Sequence, residues 1–254
     1  MSSTIYEKIM NLITTGRKRT LATVYTVSLQ HPKVGIPLLR AHCRLRPGFT
    51  DADPFKTLWI DPSQITGISD YYPRRAYGVV ASGSWDRDCK PISKLPAFDA
   101  LKSYYENNDE RRIREVFEAH IKKEDGRPWG HTSKDTFEKR LQEIDEIYNS
   151  IQERGYRSQN ELFQMGHDIS NNEPVPLELN EVTVDIGRDG DFLYCGFGSH
   201  RLAISKLLGI NEVCVKVGAR HDSWQKIRSK IKNKKELPKR VVNHLNHPDL
   251  QDID

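Results

Sequence analysis

Residues 196–201, Gly-Phe-Gly-Ser-His-Arg, hold the densest concentration of chemically useful groups in this chain. The residues before them, Phe192-Leu-Tyr-Cys195, read as a strand, and Leu202 to Leu208 read as a helix stopped by Gly209. A glycine-rich turn entering a helix leaves backbone N–H groups unpaired beside the positive end of the helix dipole, a place where phosphate and other anions bind. His200 and Arg201 add side-chain donors at the same point. The planar guanidinium of an arginine can grip two oxygens of one phosphoryl group, and Ser199 can cap the helix or donate a third bond. Gly196, Gly198, Ser199, His200 and Arg201 are therefore the candidate phosphate-binding residues. The structural alternative for the same residues is a tight strand-to-helix turn with a serine cap and a paired arginine.

Phosphoryl transfer also needs a carboxylate to position or deprotonate an acceptor hydroxyl. Glu181, at the start of the predicted strand 181–186, is the candidate catalytic carboxylate, with His200 beside the phosphates. Asp185 alternates onto one face of that strand, and Asp189 and Asp191 read as residues of an Asp-Gly hairpin turn. For the acceptor, Trp85 and Asp86 stand in Gly83-Ser-Trp-Asp-Arg-Asp88, a set that can stack on a flat or sugar-like group and bond its hydroxyls. The alternative is a strand-ending loop whose indole fills the core. Arg220 and His221 follow a third predicted strand, 213–217, and are the other substrate-binding candidates, whereas Trp224 reads as core. The turn 126–132, Gly-Arg-Pro-Trp-Gly-His-Thr, has a comparable composition. His244 and His247 lack a fixed carboxylate or cysteine partner, so no metal site is assigned.

The run Gly198-Ser-His-Arg201, continued by Leu-Ala-Ile-Ser-Lys-Leu-Leu-Gly-Ile-Asn-Glu-Val-Cys-Val-Lys-Val217, resembles the core of the ParB/sulfiredoxin superfamily. The resemblance spans roughly residues 178 to 220 and is strongest to the Gly-x-His-Arg form of sulfiredoxins and free-amino-acid kinases. It implies a nucleotide-phosphate site at Gly198, Ser199, His200 and Arg201; ATP or ADP with Mg2+ is the expected ligand, although no side chain decides among ATP, ADP and CTP. Three departures bear on activity. Ser199 stands where sulfiredoxins carry their nucleophilic cysteine, and a hydroxyl does not replace a thiolate without a dedicated base, which argues against sulfinic-acid reduction. Phe197 stands where kinase-like members often have an aspartate, and Cys214 replaces the usual proline.

Around these residues the pattern predicts an α/β (α+β) fold: a small mixed sheet with a ParB/sulfiredoxin-like core, preceded by a mixed strand and helical region. Two parts are expected, an acceptor-shaping region 1–154 and a nucleotide-phosphate-binding domain 155–254 with a basic C-terminal helix over 223–245. Within the first part, 1–20 read as an amphipathic helix ending in Arg17-Lys18-Arg19, 20–83 as strands and turns, and 94–153 as two or three helices. The helical set is carried by Leu101, Tyr105, Ile113, Phe117, Leu141 and Ile144.

At 254 residues, 37% apolar and 29% charged, the chain can bury one good core, and 16 Gly and 13 Pro exclude collagen-like and low-complexity classes. No run reaches the roughly 20 apolar residues of a membrane span, so a cytoplasmic protein is expected. The four cysteines form no C-x-x-C pair and read as reduced thiols. A formal charge of +4 suits an anionic partner without specifying it. These features lead to a nucleotide-dependent phosphotransferase acting on a hydroxyl of a small molecule or glycan. The alternatives are a ParB-like nucleic-acid-binding module and a nucleotide-binding protein without turnover.

Overall fold

The computed structural model describes residues 32–45, 47–71, 78–123, 134–167, 177–233 and 245–253. The expected N-terminal amphipathic helix with its basic end, the strand 21–28, the turn 126–132, the loop 171–176 and the tail 234–244 with His244 lie outside them.

Among the described residues the architecture is a mixed α/β fold around one seven-stranded sheet. Its strands are β1 (Thr57–Ile60), β2 (Ile65–Ile68), β3 (Val79–Ala81), β4 (Lys90–Pro91), β5 (Val182–Ile186), β6 (Phe192–Tyr194) and β7 (Val213–His221). They run in the order β1-β7-β5-β6-β2-β4, with β3 also paired to β7. Strands from both sides of residue 155 are thus hydrogen-bonded into a single sheet. β3, β5 and β7 run parallel, while β1 is antiparallel to β7 and β6 to β5.

The helices are α1 (Pro32–Leu45), α2 (Pro96–Asn107), α3 (Glu110–Lys123), α4 (Lys134–Arg154), α5 (Gln159–Gln164), α6 (Ser199–Leu207) and α7 (Asp222–Lys232). The apolar spacing in 94–153 resolves into α2, α3 and α4. Their buried stripes, Leu101 with Ile113, Phe117, Leu141 and Ile144, join Val182, Val184, Val215 and Val217 of the sheet in one apolar cluster. Helix α6 packs between α2 and α4 on that cluster. No helix among the described residues is long and apolar enough to cross a membrane.

The hairpin predicted at Asp189-Gly190 is present: Gly187 N–H donates to Asp191 O at 2.9 Å, and Gly190 takes a φ of 93° that suits glycine. Two boundaries differ from the sequence expectation. β7 does not stop at Val217 but continues to His221, because Ala219, Arg220 and His221 pair with Val79, Val80 and Ala81 of β3. Helix α6 begins at Ser199 rather than Leu202, so the His-Arg pair is its first turn and not a linker before it.

The sheet's two faces differ in chemistry. One is apolar; the other carries Thr183, Asp185 and Lys216, all buried. A Cβ placed at Gly218 would stand 2.6 Å from Asp185 Oδ1, 3.4 Å from Cys195 Sγ and 3.7 Å from Thr183 Cγ2, which fixes that set together on the polar face. Lys216 Nζ lies 5.9 Å from the centre of the Phe55 ring. The four cysteines are all thiols, and Cys43, Cys195 and Cys214 are buried.

Candidate functional site

The turn 196–198 is built by two glycines with different tasks. Gly196 (φ 145°) and Gly198 (φ 73°) both adopt backbone that an L side chain rarely takes. Gly198 also sits so close to β5 that a Cβ there would be 2.8 Å from Val182 Cγ2 and 2.9 Å from Val182 Cα. Phe197 O accepts from Thr183 N at 3.2 Å, which ties the turn to the start of β5. Gly198 is then the residue preceding α6, and having no side chain it caps nothing. The serine cap considered from the sequence is therefore not formed: Ser199 is the first helical residue, not the cap. Helix α6 opens with its positive end uncapped by any side chain, next to a half-buried Ser199 and a buried His200.

Arg201 leaves this first turn toward Glu181. Its NH1 donates to Glu181 Oε2 at 3.1 Å and to Tyr156 Oη at 3.1 Å, and its NH2 donates to Asn180 O. Glu181 is buried at 1% exposure and accepts two further bonds, from Tyr156 Oη at 3.1 Å and from Gln159 N at 2.5 Å. Burial pushes its carboxyl above the ordinary value, and Arg201, the Gln159 N–H and Tyr156 oppose that shift. A carboxylate with this many partners and so little exposure anchors an arginine; it is not poised to collect a proton from a substrate hydroxyl. Tyr156, from the α4–α5 connection, is the third member; its place in the sequence, with Arg157 and Gln159, allows an approach to a nucleotide or a solvated surface position, and the structure buries it instead. In Gly155-Tyr-Arg-Ser158, Gly155 (φ 74°) ends α4 and Ser158 opens α5 with a reciprocal Ser158–Glu161 cap.

The candidate acceptor residues gather elsewhere. Trp85, Asp86 and His221 meet at the C-terminal ends of β3, β5 and β7. The Trp85 and His221 rings are 5.7 Å apart and Tyr71 lies 5.3 Å from Trp85. Asp86 holds Arg188 of the hairpin turn, with Nε at 2.8 Å and NH2 at 2.6 Å, and also accepts from Arg188 N at 2.8 Å. These bonds depress the Asp86 carboxyl to about 2 against its burial. His221 precedes α7 and caps it, its Nδ1 accepting from Ser223 N at 3.1 Å while Nε2 faces Gly83 O at 3.0 Å. Arg220 is not part of this group. It alternates to the opposite side of β7 and pairs with Asp249 in the interior.

The turn and the Trp85 group therefore occupy opposite ends of β5, since Gly198 abuts Val182 while Ile186 leads to Arg188. The four residue steps between Val182 and Ile186 span about 13 Å. Two clusters, not one, are present. Among the described residues no group of three or more His, Cys, Asp or Glu could hold a metal ion. Because Glu181 is committed to Arg201, the described residues do not fit a protein-held magnesium at the turn.

Of the expected basic C-terminal helix the structure describes α7, where three cations are paired within the chain. Arg228 pairs with Asp51, Asp249 and Asp252, Lys226 with Asp222 and Lys232 with Asp51. No family model, curated protein or solved structure matches the chain.

Proposed function

We propose that this protein binds the polyphosphate of an adenine nucleotide, ATP or ADP, at the turn that opens α6 and uses it as a phosphoryl donor. The observation that carries the reading is the uncapped first turn of α6, set by a left-handed Gly198, with Arg201 already fixed beside it by Glu181, Tyr156 and Asn180 O. An anion at a helix N-terminus gains on the order of 0.3–1 kcal/mol from the dipole, up to about 2 in a partly buried setting, and a bidentate arginine adds to that. The resemblance to the ParB/sulfiredoxin core points to the same residues.

The chemistry asked of the protein is modest. Phosphoryl transfer passes through a loose transition state, so positioning and charge stabilisation outweigh the need for a strong base. Glu181 orients Arg201, His200 stands in the same helical turn, and the peptide N–H groups face the developing charge. An acceptor touching both the turn and the Trp85 group would have to bridge about 13 Å, which favours an extended, glycan-like molecule over a small metabolite. The pairing of Arg228, Lys226 and Lys232 with carboxylates speaks against nucleic-acid binding through α7, because a phosphate backbone would have to displace those aspartates.

The test is calorimetry and thermal shift with ATP, ADP, CTP and GTP, each with and without magnesium, on the wild type and Arg201→Ala. Adenine-nucleotide binding that weakens at least about tenfold in the variant is expected. Absence of nucleotide binding, or equal binding by both proteins, overturns the reading. Binding without phosphate loss in the presence of hydroxylated acceptors would leave a nucleotide-binding protein without turnover.

A further inference from the structure

We propose that Tyr156, Glu181 and the Asn180 carbonyl form a clamp that commits three of the five N–H donors of Arg201 and reserves the remaining two for a single phosphoryl group. The inference rests on the reading of the α6 turn as a phosphate site and assigns Tyr156 as a positioning residue within it. A guanidinium carries five N–H bonds in a fixed planar fork and accepts none. Two of them, on NH1, are taken by Tyr156 Oη and Glu181 Oε2, both at 3.1 Å, and one on NH2 is taken by Asn180 O. What remains is Nε–H and one NH2 hydrogen, a pair sufficient for one bidentate contact with a phosphoryl group.

The clamp is itself held from several sides. Tyr156 Oη donates to Glu181 Oε2 and lies 3.4 Å from Cys214 O of β7, while Gln159 N of α5 fixes the second carboxylate oxygen at 2.5 Å. Trp59 of β1 packs edge-on against the Tyr156 ring at 6.1 Å. The two side chains that hold the guanidinium are thus braced on β1, β7 and α5, and Asn180 O binds it from the segment before β5; the Arg201 side chain is 15% exposed and that of Glu181 2%. An arginine so restrained has surrendered its rotamer freedom before a ligand arrives, and pre-organisation of that kind strengthens binding without new contacts. Removing the tyrosine hydroxyl while keeping its ring frees one NH1 hydrogen and lets the guanidinium turn away from the phosphate.

The experiment is a double-mutant cycle on the full chain with Tyr156→Phe, Arg201→Ala and the pair, titrated with ADP and with inorganic pyrophosphate. Tyr156→Phe is expected to weaken both ligands about tenfold. It should have no further effect once Arg201 is alanine. The equal loss for ADP and pyrophosphate, and its disappearance without Arg201, are readouts that a general loosening of the fold would not produce. Wild-type affinity in Tyr156→Phe, or the same loss persisting in the Arg201→Ala background, overturns the clamp while leaving the phosphate site standing. Indifference of both ligands to Arg201→Ala overturns the phosphate site itself and the clamp with it. Glu181→Gln, which keeps the shape and removes the charge, provides the same cycle should Tyr156→Phe fail to fold.

Discussion

Arg220 of β7 lies flat on the carboxylate of Asp249, with Nε 2.9 Å from Oδ2 and NH2 2.5 Å from Oδ1, and neither side chain exposes more than 1% of its surface. Trp224 Nε1 donates to the same carboxylate at 2.9 Å and Arg228 closes on it at 3.3 Å. The arginine that sequence position offered to a substrate therefore ties the C-terminal residues to the sheet. Arg220→Ala should leave the buried Asp249 carboxylate with Arg228 and Trp224 but without its bidentate partner, and cost about 3 kcal/mol. Urea unfolding should show a lower midpoint, and the folded variant should retain nucleotide affinity. Lost affinity at full stability would return Arg220 to the binding site.

Gly198→Ala is expected to damage stability and the turn together. The left-handed backbone at φ 73° costs an alanine roughly 1–3 kcal/mol, and the added Cβ meets Val182 backbone and side chain at 2.9 and 2.8 Å. Gly209 makes the control: it is also left-handed, at φ 63°, but nothing stands within 4 Å of its would-be Cβ. Gly209→Ala should therefore lose the smaller amount in denaturant unfolding, and nucleotide binding should survive in it alone. Equal losses would mean that contact with Val182 contributes nothing.

Lys216 tests the polar face of the sheet. It is fully buried, and burial drives its amine well below the ordinary lysine value, with Asp185, Arg220, Cys195 and Cys43 the charged or ionisable groups around it. The unfolded chain holds that proton at pH values where the folded chain has released it, so the residue makes stability rise with pH up to the ordinary lysine value of 10.5. Lys216→Met should stabilise the fold by on the order of 1 kcal/mol, or about 2–4 °C in melting temperature, and flatten that slope. A lower melting temperature across the whole range would show that the amine's neighbours depend on it.

How much of this was legible beforehand follows the range of the forces involved. Local signals were read correctly: the apolar stripes of α2, α3 and α4, the Asp189-Gly190 hairpin, and Trp224 as core. The pairing of β3 with the end of β7 was not, because the partners Val79–Ala81 and Ala219–His221 are separated by most of the chain and their register depends on the completed sheet. The same non-locality hid the Tyr156–Glu181–Arg201 network. Arg201 and Glu181 were both singled out as chemical groups, yet that one neutralises the other depends on strand β5 delivering Glu181 beside the first turn of α6. Asp86 was legible as a carboxylate near an indole but not as the partner of Arg188, which lies 102 residues away.

That last pair supports a pH prediction. Three bonds from Arg188 hold the Asp86 carboxyl at about 2, below the ordinary value of 3.8 in an unfolded chain, with its side chain 3% exposed. A carboxyl depressed on folding stabilises the fold above its unfolded value, and the contribution is lost as pH falls from about 4 through 2. The shift corresponds to roughly 2 kcal/mol at neutral pH. Asp86→Asn keeps the shape and removes the titration, so it should be less stable than the wild type at pH 7, and the difference should shrink steadily on acidification toward pH 2.5. Arg188→Met should show the same convergence, because the pair is lost from its other side. Arg188 NH2 also donates to Gly83 O at 2.8 Å, so both variants should speed backbone amide exchange across 83–88. Parallel stability curves for variant and wild type between pH 7 and 2.5 would mean that the Asp86–Arg188 pair closes the loop without stabilising it.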